Sequence, residues 1–166
     1  MEMARHIIFS HGKESGPWGS KITTLSDLAR SRGFTTESID YRHTMNPEER
    51  VAILSDHLNA IKESVILVGS SMGGYTSICN ANHQIVERLF LLAPALYIEG
   101  YRQQCYQSEK PTTIVHGWSD EVIPFDNSLR YASSSNNTLH LIAGDHRLSS
   151  SIENVSALFE QFLIQQ

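Results

Sequence analysis

Cysteine is scarce: the 166 residues contain two, Cys79 and Cys105. Two cannot build a disulfide framework, and their spacing matches no zinc pattern. Cys79 falls in an apolar stretch of helical character and reads as a core residue. Such usage suits a reducing cytoplasm. Long apolar runs are missing too, since none approaches the roughly 18 residues of a membrane span. The chain opens Met-Glu-Met-Ala-Arg-His, with no long apolar segment behind a basic start, so no secretory leader is expected. There is no basic excess: 13 Lys and Arg stand against 18 Asp and Glu, a net charge of -5. Phosphate binding usually shows as a basic face, so neither nucleic acid nor an anionic membrane is expected as a partner. Repeats and low-complexity tracts are absent, and the Ser/Asn cluster at 133–137 reads as a short loop.

What is present suits one domain over residues 1–166, long enough to bury a core without disulfides or a metal. Short apolar runs alternate with helical periodicity. Strands are expected at 6–9, 35–41, 64–68, 86–93, 112–116 and 138–143. Helices are expected at 21–32, from Pro47 onward, and at 72–82, 124–133 and 149–164. Asn46 caps the second helix, Pro47 takes its first turn, and Glu48 and Glu49 suit its positive end. This alternation predicts an α/β fold, a three-layer αβα sandwich around a mostly parallel sheet of about six strands. Ligands of such sheets bind at the carboxyl ends of the strands. The residues just after each strand are therefore the ones to inspect.

The third strand ends in Gly69-Ser70-Ser71-Met72-Gly73-Gly74, a Gly-x-Ser-x-Gly turn. A serine here sits on a sharp strand-to-helix turn with its hydroxyl projecting, and the flanking glycines leave room for close backbone approach. The Met72 amide lies at the helix N-terminus, where negative charge is favoured. The turn matches neither Gly-x-Gly-x-x-Gly nor the phosphate-binding loop ending in Gly-Lys-Ser/Thr, which argues against nucleotide binding. After the fifth strand comes His116-Gly117-Trp118-Ser119-Asp120-Glu121-Val122-Ile123-Pro124. Asp120 is the candidate acid that orients a histidine and stabilises its imidazolium, with Glu121 in reserve. After the sixth strand, Gly144-Asp145-His146 supplies the candidate base, His146. Asp145 is a rival acid, although a sequence neighbour rarely turns its carboxylate onto the ring. His6, His57, His83 and His140 read as packed or solvated, and His11 and His116 as loop-shaping residues. The first strand runs into Ser10-His11-Gly12-Lys13, which offers the Lys13 amide as a second oxyanion donor beside Met72.

These residues resemble the α/β-hydrolase superfamily, and most closely its small, lidless bacterial members, the YqiA-like esterases. The resemblance rests on His11-Gly12, the Ser71 turn, Ala93-Pro94-Ala95, the run from His116 to Pro124 and Gly144-Asp145-His146, and it extends over nearly the whole chain. It implies a Ser71, Asp120, His146 triad in the Ser…Asp…His order of that superfamily, with an oxyanion hole formed by the Lys13 and Met72 amides. Larger members carry two further strands before the one that leads to His11. They also insert a lid after Ala93-Pro94, where this chain has only residues 95–110. Tyr97 and Tyr101, in that stretch, are candidates for lining a shallow acyl pocket, or alternatively for covering the core. The expectation is a cytoplasmic serine hydrolase that cleaves a small ester or thioester substrate, with no metal and no cofactor. The rivals are an amidase or peptidase on the same fold, and a binding module with an idle triad.

Overall fold

In the computed structural model, residues 2–135 and 137–165 are described. The strands are β1 (His6–Ser10), β2 (Thr35–Ile39), β3 (Val65–Ser70), β4 (Val86–Leu92), β5 (Thr112–Gly117) and β6 (Thr138–Ile142). The helices are α1 (Ser20–Ser31), α2 (Pro47–Asn59), α3 (Met72–Ile78), α4 (Phe125–Ser135) and α5 (Ile152–Ile164), the last preceded by a 3₁₀ turn at Ser149–Ser151.

All six strands form one sheet in the order β2-β1-β3-β4-β5-β6, and every pairing is parallel. β3 and β4 are apolar nearly throughout because both of their faces are covered, whereas the edge strands β2 and β6 stay half-exposed. One core cluster packs α1 and α5 on one face through Leu25, Phe90, Phe159 and Phe162. The other packs α2, α3 and α4 on the opposite face through Leu54, Leu58, Ile78 and Tyr131. The layers are thus the αβα sandwich expected. After β1 the chain steps outward to β2, then returns across β1 to β3. The order reverses between β1 and β3, and a crevice opens at their carboxyl ends.

Local chemistry sets the element ends. Asn46 accepts from the Glu48 and Glu49 amides and caps α2. α3 stops at Ile78, four residues short of the expected end. The Asn80 side chain donates to the Thr76 carbonyl and to the Val51 carbonyl, and the chain tightens into turns. β2 stops two residues short, at Ile39, because the Tyr41 amide turns inward to His11 Nε2. The expected loop at 133–137 is partly helix. α4 runs to Ser135, where the Ser134 and Ser135 hydroxyls donate back to the Tyr131 carbonyl. Asn136 lies outside the described residues.

On edge strand β2, Glu37 Oε1 accepts from His6 Nε2 at 2.8 Å and from His57 Nε2 at 2.9 Å, which ties β1 and α2 to the sheet edge. Burial pushes the Glu37 carboxyl up, but the two histidines more than offset this and hold it below its ordinary value. A carboxyl depressed by folding stabilises the fold above its unfolded value, and that contribution is lost as pH falls through the depressed one. Glu37→Gln is therefore expected to lower Tm at neutral and mildly acid pH. The gap from the native protein should narrow once pH falls through the depressed carboxyl value, as thermal melts across a pH series would record.

Candidate active site

Ser71 sits between β3 and α3 at φ 55° and ψ −119°, a left-handed conformation for a residue with a side chain. Strain of this kind costs about 1–3 kcal/mol and persists only where neighbours over-determine it. Here the Ser71 amide donates to the Leu92 carbonyl, and the Ser71 carbonyl accepts from the Gly74 and Ala95 amides. The turn also needs its glycines. A Cβ on Gly73 would overlap the Ser10 carbonyl at the end of β1, and one on Gly69 would overlap the Gly73 carbonyl.

The Ser71 Oγ lies 3.0 Å from His146 Nε2, and His146 Nδ1 lies 2.8 Å from Asp120 Oδ2. An ionised carboxylate only accepts, so the bond to Asp120 places the imidazole proton on Nδ1 and leaves Nε2 to accept from the serine. The Asp120 carboxylate is fully buried. Its Oδ1 accepts from the Val122 and Ile123 amides, both at 2.8 Å. Burial raises the Asp120 carboxyl, but His146 and these two amides outweigh burial and hold it below its ordinary value. It remains charged at neutral pH.

His116 is a further neighbour of this carboxylate, and its sequence context suggested only a loop-shaping role. Its Nε2 faces both the Ile123 carbonyl at 2.9 Å and Asp120 Oδ2 at 3.0 Å, while its Nδ1 meets Ser128 Oγ at 2.8 Å. Burial lowers its proton affinity, so it is neutral and donates from Nε2. The rival acids lie elsewhere. Glu121 is exposed, and Asp145 accepts from the Arg147 and Leu148 amides within its own loop. The acid and histidine loops are joined directly, since the Ser119 amide donates to the Gly144 carbonyl.

Ser71, Met72, Lys13 and His146 line a common cleft of about 630 Å3. Among the described residues, neither the Lys13 amide nor the Met72 amide donates to another protein group. Its lining includes apolar residues, Ala95, Ile98, Tyr101, Val122 and Ile123. The lining also has polar residues, among them Ser15, Lys21 and Arg147. Burial pushes the Lys21 ammonium down to about 8, against the pull of Asp145 and Asp120, and it donates to the Arg147 carbonyl beside His146. No sequence motif marked Lys21.

The two candidate tyrosines part company. Tyr101 lines the cleft. Tyr97 is not among the cleft residues and packs against the core, the other of the two readings of its sequence position. Its backbone is left-handed at φ 57°, its amide donates to the Tyr106 hydroxyl, and its ring lies under the Arg130 guanidinium at 3.9 Å. In place of a lid, residues 95–110 are pinned down. The Tyr75 hydroxyl donates to Glu48 and accepts from the Gln103 amide, while Glu48 also accepts from the Arg102 amide.

The model of a family described as an uncharacterised protein family, UPF0227, matches residues 6–104, a stretch that includes Lys13, Ser71 and Met72. The chain belongs to the UPF0227 family. Solved structures extend the likeness to the whole sheet. A protein of the alpha/beta hydrolase superfamily from Xanthomonas campestris pv. campestris is 29% identical, with a TM-score of 0.87 and 95% of this chain and 97% of that one covered. Est1E from Butyrivibrio proteoclasticus is 19% identical, with a TM-score of 0.81 over 99% and 88% of the two chains. An alpha-beta serine hydrolase homologue from Coxiella burnetii is 22% identical, with a TM-score of 0.76 over 98% and 86%. No curated protein matches the chain. This UPF0227 member therefore has the alpha/beta-hydrolase fold, and hydrolases of that superfamily are its structural neighbours, which supports hydrolytic activity in general.

The contact between Gly73 and Ser10 makes a simple prediction. Gly73→Ala is expected to destabilise the protein by about 1–3 kcal/mol or more, as overpacking does. It should also move Ser71 off His146. A lower denaturation midpoint in chemical unfolding is the expected readout.

Proposed function

We propose that this protein is a serine hydrolase that cleaves a small carboxylic ester or thioester through an acyl-enzyme intermediate. The hydrogen-bonded series from Ser71 to His146 to Asp120 carries this reading. The neutral Nε2 of His146 takes the Ser71 proton as Oγ attacks the acyl carbonyl. The oxygen of the tetrahedral intermediate gathers negative charge against the Lys13 and Met72 amides. The imidazolium, held by Asp120, then protonates the leaving alcohol or thiol. Water enters, gives its proton to His146 and attacks the acyl carbon; as the tetrahedral species collapses, the proton returns to Ser71.

The apolar lining residues Ile98, Tyr101 and Val122 suit a short acyl chain, and the 95–110 segment, where larger members insert a lid, is tied to the Tyr75 hydroxyl. Small substrates therefore fit it better than long lipids. The serine hydrolase homologue from Coxiella burnetii among the structural neighbours favours a serine nucleophile. Two free cysteines suit a reducing compartment, and we place the protein in the cytoplasm on that ground. Among the described residues, no helix is long and apolar enough to cross a membrane.

A fluorophosphonate probe should label the native protein and not Ser71→Ala, with turnover of p-nitrophenyl acetate falling by roughly 10³-fold or more. Labelling that survives in Ser71→Ala would remove the serine from the mechanism. Asp120→Asn should leave the fold intact and reduce kcat by about 10⁴-fold, because the His146 ring loses the acceptor that selects its tautomer. A steady-state kcat within tenfold of native would exclude Asp120 as the orienting acid.

A further inference from the structure

Arg50 is fully buried in α2, a position where charge is rarely tolerated without a counter-ion. Among the described residues, no carboxylate pairs with it. The neighbouring acids are engaged elsewhere. Glu48 is held by the Tyr75 hydroxyl and the Arg102 amide, and Glu49 accepts from Thr44 Oγ1. The guanidinium donates instead to backbone carbonyls. Nε reaches Thr44 at 2.9 Å, Nη1 reaches His11 at 3.3 Å and Gly12 at 3.0 Å, and Nη2 reaches Lys13 at 3.0 Å. The Tyr41 ring lies 5.5 Å away on its face. Three successive carbonyls after β1 are thus gathered onto one cation.

His11 reinforces the arrangement. The Tyr41 amide donates to His11 Nε2, so the ring proton sits on Nδ1, which donates to the Gly12 carbonyl at 2.8 Å. The Gly12 oxygen accepts from both His11 and Arg50. The peptide is trans, so the Lys13 N–H points opposite to that oxygen, away from Arg50. Lys13 and Ser71 line the same cleft, and a Cβ on Gly12 would lie 3.5 Å from Ser71 Cβ.

We propose that Arg50 is the positioning residue of the oxyanion hole: it locks the carbonyls of residues 11–13 inward, which turns the Lys13 amide toward the reacting carbonyl. Its unpaired charge also lies behind that loop and favours the anion that forms in front of it. Desolvation weakens its hold on its proton, but a guanidinium keeps its charge in a protein. This inference rests on Ser71 being the nucleophile.

The test compares native protein, Arg50→Met, Arg50→Lys and Ser71→Ala, each first shown to melt cooperatively. The probes are p-nitrophenyl acetate and an alkylboronic acid, which forms a tetrahedral anion on the serine. Arg50→Met should lose about 10²-fold in kcat with KM within about threefold of native, and should lose boronate affinity in proportion. Arg50→Lys keeps the charge but reaches fewer carbonyls, and should fall between the two. A purely structural role would lower the melting temperature and leave kcat and boronate affinity unchanged, and that result would overturn the inference. Near-native kcat in Arg50→Met with loss in Ser71→Ala would sink this inference alone. Turnover that survives in Ser71→Ala would overturn both readings. Should Arg50→Met fail to fold, nitrogen-15 NMR of the native protein decides. Boronate should shift the Lys13 amide and Arg50 guanidinium signals in the native protein and not in Ser71→Ala, and signals that stay put would refute the proposal.

Discussion

The close approach of two backbones, Gly73 in the first turn of α3 and Ser10 at the end of β1, is the constraint on which the rest of the structure depends. It seats α3 directly over the crevice where strand order reverses. It goes with the approach of Gly12 to Ser71, whose left-handed conformation is held by bonds to Leu92, Gly74 and Ala95. Any side chain at Gly73 would separate β1 from α3, and the cleft would lose one wall. The parallel sheet supplies the platform, but this contact decides where the hydroxyl stands.

Around that contact, polar groups are buried and then satisfied. The Asp120 carboxylate takes hydrogen bonds from His146 and two amides, with His116 Nε2 3.0 Å away, so its charge persists without direct solvation. Arg50 meets the same difficulty with the opposite sign and solves it with carbonyl oxygens. An unsatisfied buried charge would cost several kcal/mol, so both groups dictate the course of the loops that serve them. Asp145 and Glu48 act similarly at a smaller scale, one closing the histidine loop and the other holding down residues 95–110. Rigidity at the cleft thus comes from buried hydrogen bonding in loops as well as from the apolar core.

The readable parts of the molecule were those whose physics is local. An apolar run followed by Gly-x-Ser-x-Gly can hardly be anything but a buried strand turning sharply into a helix, and β3 and α3 follow that reading. Asn46, Pro47 and the two acids that follow specify a helix start within four residues, and α2 begins there. Errors arose where a side chain reached across the fold. Asn80 takes the Thr76 carbonyl and also holds Val51, which ends α3 early. Tyr41 gives its amide to His11, thirty positions away, which ends β2. Of the two readings left open for Tyr97, packing on the core is the one seen, through Tyr106 and Arg130.

By itself, the sequence determined the layer order of the α/β fold, the sharp turn at Ser71, and the placement of Asp120 and His146 just beyond strand ends. These follow from periodicity, turn chemistry and the rule that parallel strands present their carboxyl ends on one side. Only the tertiary structure decided which partners those residues have. Distances between loops that lie up to 75 positions apart depend on how β3, β5 and β6 stack in register. The tertiary structure also brought Arg50 beneath residues 11–13 and His116 against Asp120. No spacing rule reveals either contact, because an arginine inside a helix pattern reads as an exposed charge until the neighbouring strand and loop are in place.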